Sequence, residues 1–173
     1  MKNIEKSVKI NRGATAIART SLSKPTKYFL KKGIFNKNVS VLDYGCGKGY
    51  DVEFLKNEGF DIKGYEPFAS DKFLEKPTEK FDIVVNNYVL NVVEIPEERK
   101  KIVDELKKLG KKVYISVRAD KKSIKPTWKK FGDGFITPKG TFQKIYNEET
   151  LREEFGNDIK ILVSDSIGIT FEI

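Results

Sequence analysis

Asp43-Tyr44-Gly45-Cys46-Gly47-Lys48-Gly49-Tyr50-Asp51 follows the apolar pair Val41-Leu42, so a buried strand runs into an acidic residue and then a glycine-spaced turn. Glycine lets the backbone take positive φ and come closer to a ligand than a Cβ allows, so a turn of this kind suits a nucleoside-bearing cofactor. A dinucleotide site has the pattern G-x-G-x-x-G, which would require a third glycine at position 50, where this chain has Tyr50. The pattern is instead Asp-x-Gly-x-Gly-x-Gly. A second carboxylate, Glu66, follows Asp43 by twenty-three positions at the end of Asp61-Ile62-Lys63-Gly64-Tyr65, where it can accept hydrogen bonds from both hydroxyls of a ribose.

An acidic residue in place of a pyrophosphate cradle fits S-adenosylmethionine, whose ammonium end Asp43 can bind directly or through water. The arrangement resembles motif I of class I methyltransferases. On that resemblance Asp43, Gly45, Cys46, Gly47, Tyr50 and Asp51 form the turn around the methionine part, Glu66 and Pro67 the ribose edge, and Phe68 an adenine face. Asn86 borders the same pocket, and Arg19 reaches the cofactor carboxylate from the N-terminal segment. Asn87-Tyr88 partly imitates the Asp/Asn-Pro-Pro-aromatic motif of base-amino methyltransferases, without its prolines. The pair is the candidate catalytic element; equally, the amides of Asn86 and Asn87 can cap a strand end, and Tyr88 can be a buried packing residue. Methyl transfer needs alignment of nucleophile, methyl and sulfur more than it needs a strong base. Cys46 lies inside the turn with no proline before it and reads as a small spacer, not a covalent nucleophile.

The chain of 173 residues has no His and only one Cys, which removes disulfides, Cys/His zinc sites and His-based triads; no metal is expected. No apolar run approaches the ~20 residues of a membrane span, and the first residues lack a signal peptide's apolar core, so the expected setting is cytoplasmic. The net charge of +8 is unevenly placed. Residues 1–40 carry ten Lys and Arg against Glu5, a net of +9, whereas residues 41–173 carry 23 basic and 24 acidic groups. Within that second part, residues 107–130 hold ten basic groups against Asp120 alone. These blocks fit either a polyanion partner, with nucleic acid bound through the N-terminal segment and residues 107–130, or a Lys-rich solvated surface.

The expected fold class is α/β: a Rossmann-like class I methyltransferase sheet, mostly parallel with an antiparallel C-terminal strand. Residues 1–173 read as a single methyltransferase domain, with a basic N-terminal helical segment at 1–38 and a substrate-side insertion or lid at 119–145. Residues 1–12 read as a loose arm, and Ser23 caps a helix that Gly33 stops. Strands are expected at 39–44, 61–66, 81–87 and 112–117, with an antiparallel pair at 158–163 and 167–173; helices at 51–57, 96–109 and 148–155 join them. A class I sheet has the order 3-2-1-4-5-7-6. Only thirteen residues separate Pro67 from Phe81, too few for a helix, a strand and their loops, so the third strand, an edge strand, is expected to be short or absent. In the insertion, lysines accompany Trp128, Phe131, Phe135 and Phe142, as in single-strand binders; a lid whose rings pack inward fits equally well.

A narrower resemblance rests on Thr15-Ala16-Ile17-Ala18-Arg19, Ser23-Lys24-Pro25, the Asp43–Gly49 turn, Gly64-Tyr65-Glu66-Pro67, Val89-Leu90-Asn91-Val92-Val93-Glu94, Val117-Arg118, Gly132-Asp133-Gly134 and Gly140-Thr141-Phe142-Gln143-Lys144. Together these resemble the DNA phosphorothioation-associated methyltransferases. That family usually has Arg and Asp where Lys48 and Tyr50 stand, and Asp in place of Glu66. The resemblance implies the S-adenosylmethionine cofactor and leaves the methyl acceptor open; the basic blocks point to methyl transfer to nucleic acid. The alternatives are a catalytically silent accessory module that binds nucleic acid and a small-molecule methyltransferase.

Overall fold

The computed structural model describes residues 10–166 and 168–173. Most of the expected loose arm, residues 1–9, and the first residue of the last expected strand, Ile167, lie outside the described residues.

Four parallel strands form the centre: β1 (Ser40–Tyr44), β2 (Asp61–Tyr65), β3 (Phe81–Asn87) and β4 (Gly110–Arg118). Two further strands, β8 (Lys160–Ser164) and β9 (Gly168–Glu172), complete a six-stranded sheet in the order β2-β1-β3-β4-β9-β8, in which β9 runs antiparallel to both neighbours. This is the methyltransferase order with its third strand missing. Residues 66–80 form neither helix nor strand, so β2 is an edge strand. The trimmed sheet expected from the short Pro67–Phe81 interval is therefore found.

Successive strand residues point to opposite faces, and β1 shows the consequence for packing. Val41 belongs to the apolar cluster under α1 (Lys24–Lys31) and α2 (Tyr50–Asn57), with Phe29, Val52 and Leu55. Leu42 belongs to the cluster under α3 (Pro96–Leu109) and α4 (Glu148–Phe155), with Val84, Leu106 and Leu151. Both faces of the sheet are covered, which is why the parallel strands read as nearly continuous apolar runs.

The helices begin where local chemistry satisfies their free amides. Ser23 Oγ accepts from Thr26 N ahead of Pro25 in the first turn of α1. Asn147 and Thr150 form a reciprocal capping box at α4, while α3 starts on Pro96 with Glu97 and Glu98 in its first turn and ends with Lys107 and Lys108 near its negative pole.

The insertion is more ordered than its irregular pattern indicated. Strands β5 (Lys129–Phe131), β6 (Gly134–Ile136) and β7 (Phe142–Gln143) form a separate three-stranded antiparallel sheet. Its rings pack on one another: Trp128 against Phe135 and Phe131 against the fully buried Phe142, each pair with centroids 6.4 Å apart. Phe142 alone is buried, Trp128 and Phe135 are half-buried and Phe131 is exposed, so the rings pack on one another while part of their surface faces outward.

The basic block at 107–130 is split by β4. Lys107 and Lys108 close α3, Lys111 and Lys112 open β4, and Arg118 ends it, six residue steps or about 20 Å beyond Lys112. Among the described residues no helix is long and apolar enough to cross a membrane, and no group of three His, Cys, Asp or Glu is placed to hold a metal ion.

A buried ion network fastens the insertion to the helices. Arg99 is completely buried and donates to Glu154, to Asp133 in the β5–β6 turn and to the Val93 carbonyl at 2.8 Å. Lys144 pairs with the same two carboxylates, Asp133 at 2.8 Å and Glu154. Removing one partner from such a cluster leaves the opposing charges buried and uncompensated, a loss of about 3–5 kcal/mol. Arg99→Ala is expected to lower the unfolding free energy measured in urea by that amount; a change below about 1 kcal/mol would mean that water replaces the guanidinium without penalty.

Candidate active site

The carboxyl ends of β1, β2, β3 and β4 open onto one cavity of about 790 Å³. In open α/β sheets this end, near the reversal of strand order, is where ligands bind. A segment running from Asn11 to Thr20 crosses above it. Asn11 N donates to the Gly140 carbonyl at 3.0 Å, Tyr50 Oη donates to the Thr20 carbonyl at 3.0 Å, and Arg12 forks between Glu94 (2.9 Å) and Glu98 (2.5 Å) at the start of α3.

The glycine turn has the geometry its composition demands. Gly45 has φ 91°, and a Cβ built there would stand 2.2 Å from Val89 Cγ2. Gly45 N and Cys46 N both donate to the Tyr65 carbonyl, at 2.7 and 3.2 Å, which holds the turn against the end of β2. Gly49, also at positive φ, then opens α2.

Asp43 ends up buried with its Oδ1 unpartnered. Loss of solvation pushes its carboxyl up to about 8, Asp51 and Glu66 push in the same direction, and Arg19 opposes them. A carboxyl in this state awaits a cation. Glu66 sits beside it at the end of β2, with Oε2 accepting from Gly47 N at 3.1 Å and Oε1 from Phe68 N at 2.9 Å and Ala69 N at 3.2 Å. A carboxylate offers about four acceptor positions, so three are taken and one remains, where the sequence led us to expect room for both ribose hydroxyls.

Pro67 and Phe68 line the cavity, and the Phe68 ring is 62% exposed with the Arg12 guanidinium 5.8 Å from its centroid. Arg19 also lines it and donates no hydrogen bond to a described side chain. Tyr50 and Asp51 reach the wall, but Asp51 is engaged elsewhere: its carboxylate accepts from Ser23 N at 3.0 Å and Thr26 Oγ1 at 2.7 Å, tying α1 to the start of α2. Cys46 packs against Gly64, and burial pushes its thiol well above the usual range, as suits a spacer.

At the end of β3 the two amides part. Asn86 is fully buried, does not line the cavity and donates from Nδ2 to the Tyr44 carbonyl at 2.7 Å, as a strand-capping amide does, while its Oδ1 is buried without a partner. Asn87 lines the cavity with both polar atoms buried and unpartnered. Tyr88, next to it on the wall, has φ 62°, a left-handed backbone unusual for a bulky residue, held by its N–H donating to the Ser116 carbonyl at 2.7 Å. Burial raises its phenol, so Tyr88 stays protonated, with its ring edge and hydroxyl beside Gly168 of β9.

Sequence reasoning did not find Arg12, Glu94 and Glu98 as the clasp over the cavity, nor Asn91 and Gln143 on its wall. The clasp joins residues more than eighty positions apart and has no local signature.

A protein-family model described as methyltransferase domain matches residues 15–157. The chain belongs to the methyltransferase domain family. A search of the curated proteins found no match. Among solved structures, this methyltransferase is similar to an S-adenosylmethionine-dependent methyltransferase from Methanosarcina mazei (16% identity, 88% of this chain and 98% of that one, TM-score 0.63). It is also similar to the 1,6-didemethyltoxoflavin-N1-methyltransferase of Burkholderia thailandensis, solved with that substrate and S-adenosylhomocysteine (13%, 86% and 76%, TM-score 0.59). A third neighbour is the magnesium protoporphyrin IX methyltransferase of Synechocystis PCC 6803 with S-adenosylhomocysteine (16%, 93% and 91%, TM-score 0.56). The shared architecture is the class I S-adenosylmethionine-dependent methyltransferase fold, and the expected cofactor is the one this fold binds.

Two measurements test the turn and its carboxyl. Gly45→Ala is expected to cost more than about 1 kcal/mol, since it combines positive φ with a contact inside van der Waals distance. Adding Val89→Ala should recover the contact part and leave the backbone part, and full recovery would show that φ carries no strain. Asp43 releases its proton near pH 4 when unfolded and near 8 when folded. Without ligand, the folded state therefore binds more protons between those values, and wild-type stability should fall relative to Asp43→Asn as pH rises from 4 to 8. A flat difference across that range would contradict the desolvated carboxyl.

Proposed function

We propose that this methyltransferase transfers the methyl of S-adenosylmethionine to a small molecule taken into the cavity, with the whole chain acting as one domain and residues 119–145 as a lid. The observation that carries the reading is that buried polar atoms lacking protein partners lie at three places on one cavity wall: Asp43 Oδ1 beside the glycine turn, the Asn87 amide at the end of β3, and Asn91 Oδ1 shortly after it. Unsatisfied buried groups cost about 1–3 kcal/mol each, so they are kept where a ligand completes them.

The residues fit the cofactor. Asp43 would hold the ammonium end, the Gly45–Gly47 backbone would admit the methionine part, Glu66 would take one ribose hydroxyl, Phe68 would cover the adenine and Arg19 would face the carboxylate. When bound, S-adenosylmethionine supplies an electrophilic methyl that an aligned nucleophile displaces from sulfur. The chain's task is then positioning. Asn87 can accept from the acceptor's N–H or O–H and donate to a neighbouring oxygen, while Tyr88 offers its phenol proton to the acceptor. The overlying 11–20 segment excludes water from the reacting atoms.

Small-molecule acceptors fit the enclosed position of Asn87 and Tyr88 and the packed rings of the insertion; two structural neighbours act on compounds of this kind. Nucleic acid is the second reading. Lys121, Lys122, Lys125, Lys129 and Lys130 are exposed and follow β4 out of the cavity end of the sheet, none paired with a carboxylate among the described residues. The resemblance to the phosphorothioation-associated family bears on the cofactor and leaves the acceptor open. A cytoplasmic setting belongs to both.

Incubation with methyl-labelled S-adenosylmethionine and separated cell fractions tests the assignment: label is expected in the small-molecule fraction, and label in DNA or RNA alone would favour the second reading. S-adenosylhomocysteine should bind with an affinity that rises with pH up to about 8, because its ammonium selects ionised Asp43, and Asp43→Asn should weaken it at least tenfold. Affinity unaffected by that substitution would remove Asp43 from the cofactor site.

A further inference from the structure

The acceptor side of the cavity holds a cation to which the fold assigns no counter-charge. Arg118 ends β4, two residues beyond Ser116, which is in register with Asn87. Its half-buried side chain lines the cavity, and its one side-chain hydrogen bond to a described residue is a long contact from Nη1 to Gln143 Oε1 at 3.4 Å. No described carboxylate forms an ion pair with it.

The acids on the cavity wall are already engaged. Glu66 accepts from three amides, Asp51 from Ser23 and Thr26, Glu98 from Arg12, and Glu105 from the Tyr44 hydroxyl at 2.8 Å as well as from Lys76. Asp43 lies among the cofactor groups and is held largely neutral at pH 7 by burial. Of the cations acting on the Tyr88 phenol, Lys24 is paired with Asp165 at 2.7 Å and Arg19 belongs to the expected cofactor set. Arg118 remains. Beside it, Asn87 presents an amide with neither polar atom satisfied.

A guanidinium is always charged and presents a planar fork of donors that matches a carboxylate or phosphate. We propose that Arg118 binds an oxyanion of the acceptor, so that the substrate is a small organic acid or phosphate ester whose nucleophile lies against Asn87 and Tyr88. This inference rests on the small-molecule reading above.

Calorimetric titration of the full chain, preloaded with S-adenosylhomocysteine, against benzoate, phenyl phosphate and uncharged benzamide tests it. At least one anion should bind tenfold or more tightly than benzamide, and Arg118→Gln should weaken that anion at least tenfold while benzamide is unchanged. Arg118→Lys should restore part of the affinity, since it returns the charge without the fork. The stronger of the two anions identifies the oxyanion as carboxylate or phosphate. Titration of each variant with S-adenosylhomocysteine reports that it is folded. The proposal is overturned if neither anion exceeds benzamide, or if Arg118→Gln binds the anion as wild type does. Failure of wild type to bind S-adenosylhomocysteine is a separate outcome that overturns the cofactor assignment beneath it.

Discussion

At the end of β1 the chain must pass Val89 without a side chain of its own. Gly45 stands so close to that valine that no Cβ fits, and its backbone adopts a conformation that L side chains rarely take. The approach brings the β1 turn and the segment after β3 together at the cavity floor. Val89 is at once the wall that demands glycine and the neighbour of Tyr88, so the cofactor turn and the acceptor residues share one packing contact. A change in either segment therefore acts on both halves of the site.

The carboxylates around this turn divide into two kinds by their partners. Asp51 and Glu66 accept from backbone amides and a hydroxyl, and those bonds build the site: one anchors α1, the other folds the loop after β2 back onto Gly47. Asp43 has no such partner and is carried into the interior at the expense of its ionisation. A charged group satisfied within the protein shapes a pocket, whereas an unsatisfied one is an invitation to a ligand of opposite charge. Their nearness also matters, because Asp51 and Glu66 add to the field that keeps Asp43 protonated until a cation arrives.

Most of the fold was legible because its signals are local. Apolar runs marked the parallel strands, Ser23 and Pro96 marked helix starts, and the short interval before Phe81 excluded a third strand. The gathering of Asp43, the glycines and Glu66 at one cavity was legible for the same reason, since these residues keep a fixed spacing. What escaped was long-range or compensatory. The small sheet of the insertion has strands of two or three residues, too short for periodicity to register. Asn86 and Asn87 are adjacent and chemically identical, yet the strand's alternation turns one into the sheet and the other toward the cavity. Asp51 looked like part of the ligand shell because spacing reveals nearness but not which partner a side chain has already taken.

The buried network around Arg99 gives the insertion a mechanical role. Asp133 in the β5–β6 turn and Lys144 after β7 meet Arg99 on α3 and Glu154 on α4, so two ends of the insertion are fixed to the helical layer by one cluster of paired charges. Glu98, next to Arg99 in sequence, holds Arg12 and with it the segment over the cavity. Adjacent residues of α3 therefore anchor both coverings of the site: the partly exposed clasp through Arg12 and the buried latch through Arg99. Water reaches both, since Asp133 at 35% is as exposed as Glu98 at 36%, but the latch keeps its Lys144–Glu154 pair enclosed at 9% and 8%, where solvation and salt weaken an ion pair least.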